Sequence, residues 1–312
     1  MFGRLTIRNL KIEILDRLNE FASTNERSVE AEVRYALARW TESSSSKINV
    51  DEQYRKNISE RLIFLMQQKN NFLNSSLKAS HVAERLGCAK GSIVDQWISG
   101  EVEPTFEELD KLADYFSANP KWLKHGEGSP FNKKYERIPE QPQEAIKWLL
   151  KEERYRDLKK IVFIRCSSGS IYLVKIYNNE RTIVYTTPYV LDNSVGNGGF
   201  NAMIKLFIFW EELYKQYTKI FDSFGLSATN IMIASYIFNN TDSKKLEDGD
   251  IDPLALLEKN MPEPWWEDVW GNDDSNLREY WSGCKEFCAE VNKYKLAKMA
   301  NQSQYVDTSV DC

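Results

Sequence analysis

The sequence predicts an α+β, multidomain protein, and three observations predict it. A short alternation of polar and apolar residues at the start is followed by two amphipathic helical patterns. From residue 53 to 131 the apolar spacing is helical, interrupted by turn signals. Beyond residue 144, helical stripes flank three β-type runs joined by short polar turns, which predicts helices against a small antiparallel sheet. The expected organisation is an arm at 1–42, a linker at 43–52, an all-α bundle at 53–131, and a second linker at 132–143. An α+β domain at 144–299 and a disordered tail at 300–312 complete it.

With 312 residues, 42% hydrophobic and 28% charged, the chain has the material for two or three domains with real cores. No apolar run approaches the roughly 18 residues of a membrane span. The start, MFGRLTIRNLKIEIL, lacks the apolar core of a signal peptide, so an intracellular protein is expected. Five cysteines without framework spacing fit a reducing compartment. The net charge of -5 is an average over unlike segments. From Gln53 to Ser92 seven basic residues face two acidic ones, whereas from Glu247 to Trp281 eleven acidic residues face two basic ones. A polyanionic partner is therefore expected at the N-terminal side.

In the arm, Leu5 and Ile7 alternate with Arg4, Thr6 and Arg8, so a strand places the two sets on opposite faces. Arg, Thr and Arg are side chains that hydrogen-bond base edges and phosphates. Ile14, Leu15, Leu18, Phe21 and Ala22 then form one helical stripe, and Val29, Val33, Leu37 and Trp40 a second. Ser28 is the N-cap of that second helix, with Glu30 and Glu32 in its first turns. One strand cannot satisfy its own backbone, and roughly 40 residues cannot bury a sufficient core. Two copies whose strands pair into a ribbon over four helices solve both problems. The residues Thr6, Ile7, Arg8, Asn9, Leu10, then Arg27, Ser28, Val29 and Glu30, resemble the ribbon-helix-helix fold of the Arc and MetJ repressors, and its antitoxin-like members above all. Over residues 2–41 the resemblance implies that Arg4, Thr6 and Arg8 read the groove and that the backbone amides at Ser28 grip a phosphate. The other reading is a solvated edge strand with a helical hairpin used only for dimerisation. Residues 42–50, ESSSSKINV, are expected to be a flexible linker.

In KASHVAERLGCAKGSIVDQW, Ala83 is small where two helices cross, Gly87 suits a left-handed turn, and Ile93 is placed to lock the second helix to the first. Val82 and Leu86 fill the inner face, and Leu109, Leu112, Ala113 and Phe116 form a later stripe. The turn, the Trp97-to-Gly100 ending, Pro104, the L-x-x-L-A helix and WLKHGEGSPF are similar to the lambda-repressor-like helix-turn-helix domain over residues 57–131. In one departure, Gly87 and Trp97 stand one residue further apart than usual, which puts Gly91 inside the expected recognition helix. The resemblance implies DNA contacts from Ala89, Lys90, Gly91, Ser92 and Asp95, with Ser80 near a phosphate. The alternative is a helix bundle that serves as a spacer or protein-binding module. His81 and His125 lack ligand-spaced partners and read as surface or helix-cap histidines.

In the C-terminal half a helix is expected at Glu144–Lys159, strands at Ile161–Cys166, Ser170–Tyr177 and Arg181–Val190, and helices at Phe200–Phe221 and Glu279–Lys298. ATNIMIASYIF reads only as an apolar segment. No family resemblance is evident, and the Gly-Asp-Ser-Met motif of self-cleaving repressors is absent. SVGNGGF lacks the Lys-Ser/Thr of a phosphate loop and reads as a mobile loop. Cys284 and Cys288 read as core thiols, and Asp248, Asp250 and Asp252 as a solvated loop without the glycine and glutamate of a calcium loop. Trp265, Trp266 and Trp270, in acidic surroundings with Trp281, read either as partner-binding anchors or as half-buried packing residues. A further reading lets the acidic stretch 247–281 cover the basic segment 53–92.

The expected function is sequence-specific DNA binding by a homodimeric transcriptional regulator, a repressor of bacterial, phage or mobile-element origin. No catalytic residue, cofactor or metal is assigned, and the location is cytoplasmic, at the nucleoid. The rival is an antitoxin-like or anti-defence protein whose C-terminal half holds a protein partner. A DNA-processing enzyme is the third class, and no catalytic constellation supports it.

Overall fold

The computed structural model describes residues 9–45, 50–73, 76–151, 157–193, 195–224, 231–271 and 277–307. The expected first strand, with Arg4, Thr6 and Arg8, lies outside the described residues. The chain divides into two compact units, Met1–Asn57 and Ile58–Cys312.

In the first unit, α1 (Ile12–Thr24) and α2 (Val29–Ser45) form a helical hairpin. The turn between them is closed by Asn25 N donating to Phe21 O (2.9 Å) and Arg27 N donating to Ala22 O (2.8 Å). The serine tract expected to be a linker is helical through Ser45, and α3 (Val50–Leu73) begins five residues later. Serine is only a mild helix breaker, so a helix already nucleated by α2 extends into it.

The second unit opens with α3 from Ile58 and continues through α4 (Ala79–Arg85), α5 (Ile93–Ser99), α6 (Phe106–Phe116) and α7 (Pro120–His125). Ile58, Leu62, Leu65, Val82, Ala83, Val94, Trp97, Leu109, Leu112, Phe116 and Leu123 are buried. Thr105 and Glu108 close a reciprocal capping box at the start of α6: Thr105 Oγ1 accepts from Glu108 N (3.2 Å), and Glu108 Oε2 accepts from Thr105 N (2.7 Å).

A five-stranded sheet follows, in the order β1-β4-β3-β2-β5. Its strands are β1 (Lys133–Tyr135), β2 (Leu158–Arg165), β3 (Ser170–Tyr177), β4 (Thr182–Val190) and β5 (Met232–Ile237). The pairs β2–β3 and β3–β4 are antiparallel, as the short turns require, whereas β1–β4 and β2–β5 are parallel. The expected antiparallel sheet is therefore mixed. From Ile161 to Arg165 its interior β2 is buried at every position, because both faces are covered. One face, with Ile161, Phe163, Leu173 and Tyr185, packs with residues of α8 (Pro142–Leu149), α9 (Asn197–Phe224), α12 (Trp265–Asp268) and α13 (Cys284–Asp307). The other, with Val162, Ile164, Val174 and Tyr236, packs with Leu246 of α10 (Asn240–Asp248) and Leu256 and Leu257 of α11 (Pro253–Lys259).

The stretch expected to be the second linker carries structure: β1 lies inside it, and α8 starts at Pro142 and stops at Leu149, well short of Lys159. Proline at the first helical position loses no hydrogen bond, so Pro142 starts a helix. The apolar segment ATNIMIASYIF contains β5, which reaches its place beside β2 through the crossover helix α9. SVGNGGF is not simply a loop, since α9 begins at Asn197 and contains Gly198 and Gly199. The last helix continues to Asp307, into the expected tail.

Candidate nucleic-acid interface

Within the first unit, one buried carboxylate organises the hairpin. Glu32 is 7% exposed, and its Oε1 accepts from Asn25 Nδ2 (3.0 Å) while its Oε2 stands 3.4 Å from Arg27 Nη1. The Arg27 guanidinium also lies over the Tyr35 ring, 4.1 Å from its centroid. The residues of the turn are thereby held against the first turn of α2. Ser28 occupies the N-cap position expected of it, its Oγ accepting from Ala31 N at 3.2 Å. The next amides of α2, at Val29 and Glu30, open the N-terminus of a 17-residue helix, where an anion is favoured.

Packing in this unit is incomplete within one chain. Among its described residues Ala22 is the one buried apolar side chain. Ile12, Ile14, Leu15, Phe21, Tyr35 and Trp40 are between 43% and 73% exposed. The two stripes visible in the sequence are present on the helices: Leu18, Val29, Val33 and Leu37 are half-buried, whereas Ile14, Leu15, Phe21 and Trp40 stay exposed.

In the second unit, the predicted contact residues cluster around the turn between α4 and α5. Ser80 is exposed in the first turn of α4, and a Cβ built on Gly91 would sit 3.6 Å from Ser80 Cβ. Ala89, Lys90, Gly91 and Ser92 are all exposed in the segment before α5, and Asp95 is exposed in its first turn. Because α5 begins at Ile93, Gly91 stands in the turn, outside the helix that was expected to contain it. Gly87 takes the left-handed backbone predicted for it, with φ +70°. Ile93 is only half-buried; Val94 and Trp97 supply the buried side of α5 instead. His81 closes the start of α4, its Nδ1 accepting from Lys78 N at 3.3 Å, and His125 ends α7.

The aromatic cluster does not form a surface anchor. Trp265 and Trp266 are 0% and 1% exposed, packed against Trp210 and Phe163, and Trp265 Nε1 donates to Tyr236 O at 3.1 Å. Trp270 is half-buried against Tyr214. Partner binding by Trp265 and Trp266 is therefore corrected in favour of the packing reading: the indoles complete the core beneath the sheet. Asp252, expected in a solvated loop, is 1% exposed. Its Oδ1 caps α11 by accepting from Leu254 N (3.0 Å), and its Oδ2 stands 3.2 Å from Lys69 Nζ on α3. The acidic and basic segments thus meet at a buried ion pair, whereas Ala89, Lys90, Gly91 and Ser92 of the turn are exposed.

Sequence reasoning missed the groups that join the helices to the sheet. Lys69 also lies 3.6 Å from Glu180, Arg181 Nε is 3.7 Å from Asp114 Oδ1, and Ser117 Oγ accepts from Thr182 N (2.9 Å). Phe131 N donates to Gly249 O (3.0 Å), and at Gly249, with φ +75°, a Cβ would approach Phe131 O to 2.5 Å. Because each pair is distant in sequence, periodicity carries no sign of it.

Among the described residues no group of three or more His, Cys, Asp or Glu side chains is placed to hold a metal, and no helix is long and apolar enough to cross a membrane. Residues 4–41 match the family described as antitoxin FitA-like, ribbon-helix-helix. Ribbon-helix-helix domains typically bind DNA as dimers. No curated protein and no solved structure matches the chain.

Proposed function

We propose that this chain is a non-enzymatic, sequence-specific DNA-binding transcriptional regulator, a repressor that binds a palindromic operator as a homodimer. The observation that carries the proposal is the ribbon-helix-helix match over residues 4–41, on a hairpin whose apolar stripes leave Ile14, Leu15, Phe21 and Trp40 exposed in one chain. A second copy buries those stripes and supplies the second strand of a ribbon. In that ribbon Arg4, Thr6 and Arg8 face the major groove, and the α2 N-terminus at Ser28 holds a phosphate. The α4–turn–α5 region acts as a second, helix-turn-helix reader through Ser80, Ala89, Lys90, Gly91, Ser92 and Asp95. Two readers in one chain make the second contact intramolecular, so two weak sites give one tight composite site.

Genome-wide mapping of bound DNA, followed by binding to the mapped site, tests this. Arg4→Ala together with Arg8→Ala is expected to weaken specific binding by about 1–3 kcal/mol per lost base contact. Unchanged affinity would overturn the role of the arm. The description of the matched family as an antitoxin favours one second reading, in which the C-terminal half holds a protein partner and DNA binding provides autoregulation. Stoichiometric co-purification of a protein from the native host supports that reading, and its absence under gentle extraction counts against it.

A further inference from the structure

Cys284 and Cys288 are both 0% exposed, one turn apart at the start of α13, and their Sγ atoms are 4.0 Å apart. The carboxylate of Glu279 fixes that helix start by accepting from Gly283 N (2.8 Å) and Cys284 N (3.2 Å). A cation is buried beside the thiols. Arg165, at the end of β2, is 5% exposed; its Nη2 donates to Leu191 O (2.9 Å), and its guanidinium lies 4.4 Å from the Trp281 ring centroid. Its electrostatic neighbours are half-buried Asp192 and the thiols of Cys284, Cys166 and Cys288. A buried guanidinium held by carbonyl oxygens and an indole face favours added negative charge nearby.

We infer that the Cys284–Cys288 pair is a two-coordinate site for a soft monovalent cation, copper(I) in chemical class, with Arg165 balancing its charge. Thiolates select such ions over harder ones. A metal–sulfur bond of about 2.3 Å, the zinc value, sets a linear S···S span of about 4.6 Å, so the sulfurs need part by only about 0.6 Å. Two thiolates and one monovalent cation carry one net negative charge, and Arg165 supplies its opposite in the same cluster. Binding forms two metal–sulfur bonds and releases both thiol protons to solvent, with no change of oxidation state. The half-buried and exposed turn at residues 281–283 borders Cys284 and gives the ion its entry.

The test uses the full chain carrying Cys88→Ser and Cys312→Ser, titrated anaerobically with copper(I) held by a chromogenic chelator. One tightly bound equivalent is expected, and adding Cys284→Ser or Cys288→Ser should abolish it. Arg165→Gln should weaken it by about 10–100-fold, the usual effect of a group that supports metal ligands. Zinc(II) should not compete, because two thiols fall short of its four ligands. X-ray absorption of the loaded protein reads the site without altering it, and two sulfur ligands in near-linear geometry are expected. No bound equivalent, retention in the Cys284→Ser/Cys288→Ser variant, equal affinity for zinc, or a higher coordination number would overturn the inference.

Discussion

Lys69→Met and Asp252→Asn probe whether the helical bundle and the sheet domain are held as one folding unit. The Lys69 side chain is 5% exposed and that of Asp252 1%, with Nζ and Oδ2 3.2 Å apart. Removing one member of a buried pair typically costs about 3–5 kcal/mol, because the other charge is left in a poorly solvated site. The two substitutions should not cost the same. In Asp252→Asn the amide still caps α11, and Lys69 keeps Glu180 at 3.6 Å, a partner that is itself 46% exposed. About 3 kcal/mol is expected there, or roughly 6–12 °C in Tm for a unit of this size. Lys69→Met leaves Asp252 charged and buried, so the upper end, about 5 kcal/mol, applies. The double variant removes both charges and should recover to within about 1–2 kcal/mol of the parent. Urea titration of the full chain, followed by tryptophan fluorescence, measures all three, since Trp97, Trp210, Trp265 and Trp266 are buried in this unit. Single variants costing under about 1 kcal/mol, or a double variant no better than Lys69→Met, would refute the reasoning.

Further expectations follow from other parts of the molecule. Trp265→Ala should cost about 3–5 kcal/mol in the same titration; a fully stable variant would mean that the indole is not a core residue. Glu32→Ala leaves the Asn25 amide and Arg27 without their acceptor, and should lower the stability of the first unit by about 1–3 kcal/mol, read by circular dichroism of the full chain. A change below about 0.5 kcal/mol would remove Glu32 as the organiser of the turn. Burial pushes the Cys166 thiol and the Tyr172 phenol each up to about 12. The unfolded chain gives up these protons from about pH 8.5 and 10, so the folded state holds more protons in between, and stability falls as pH rises from about 9 to 12. Urea midpoints that stay level across that window would contradict this.

The arm was legible in the sequence because its signals are local. Ser28 caps α2 at the predicted position, and the two apolar stripes lie on the predicted helices, since side-chain spacing and caps act within a few residues. Gly87 was legible for the same reason, its left-handed backbone being a property of one residue. The turn before α5 was not. The spacing of Gly87 and Trp97 departs by one residue from the pattern it resembles, and where α5 begins depends on how Val94 and Trp97 seat in the bundle. For Trp265 and Trp266 the sequence left anchoring and packing both open, because acidic neighbours suggest a surface; a four-residue helix turns both indoles inward.

By itself, then, the sequence determined the arm, its capped second helix, the turn glycine and the three antiparallel-neighbour strands, all fixed by contacts between residues close along the chain. Only the tertiary structure decided that the sheet is mixed and covered on both faces, that β5 joins it through α9, and that Lys69 meets Asp252. It also decided that Cys284, Cys288 and Arg165 share one buried cluster. Each of these depends on segments far apart in the chain arriving at the same place. Pattern and propensity act over a few residues, whereas burial of charge and parallel pairing are settled by the whole packed unit.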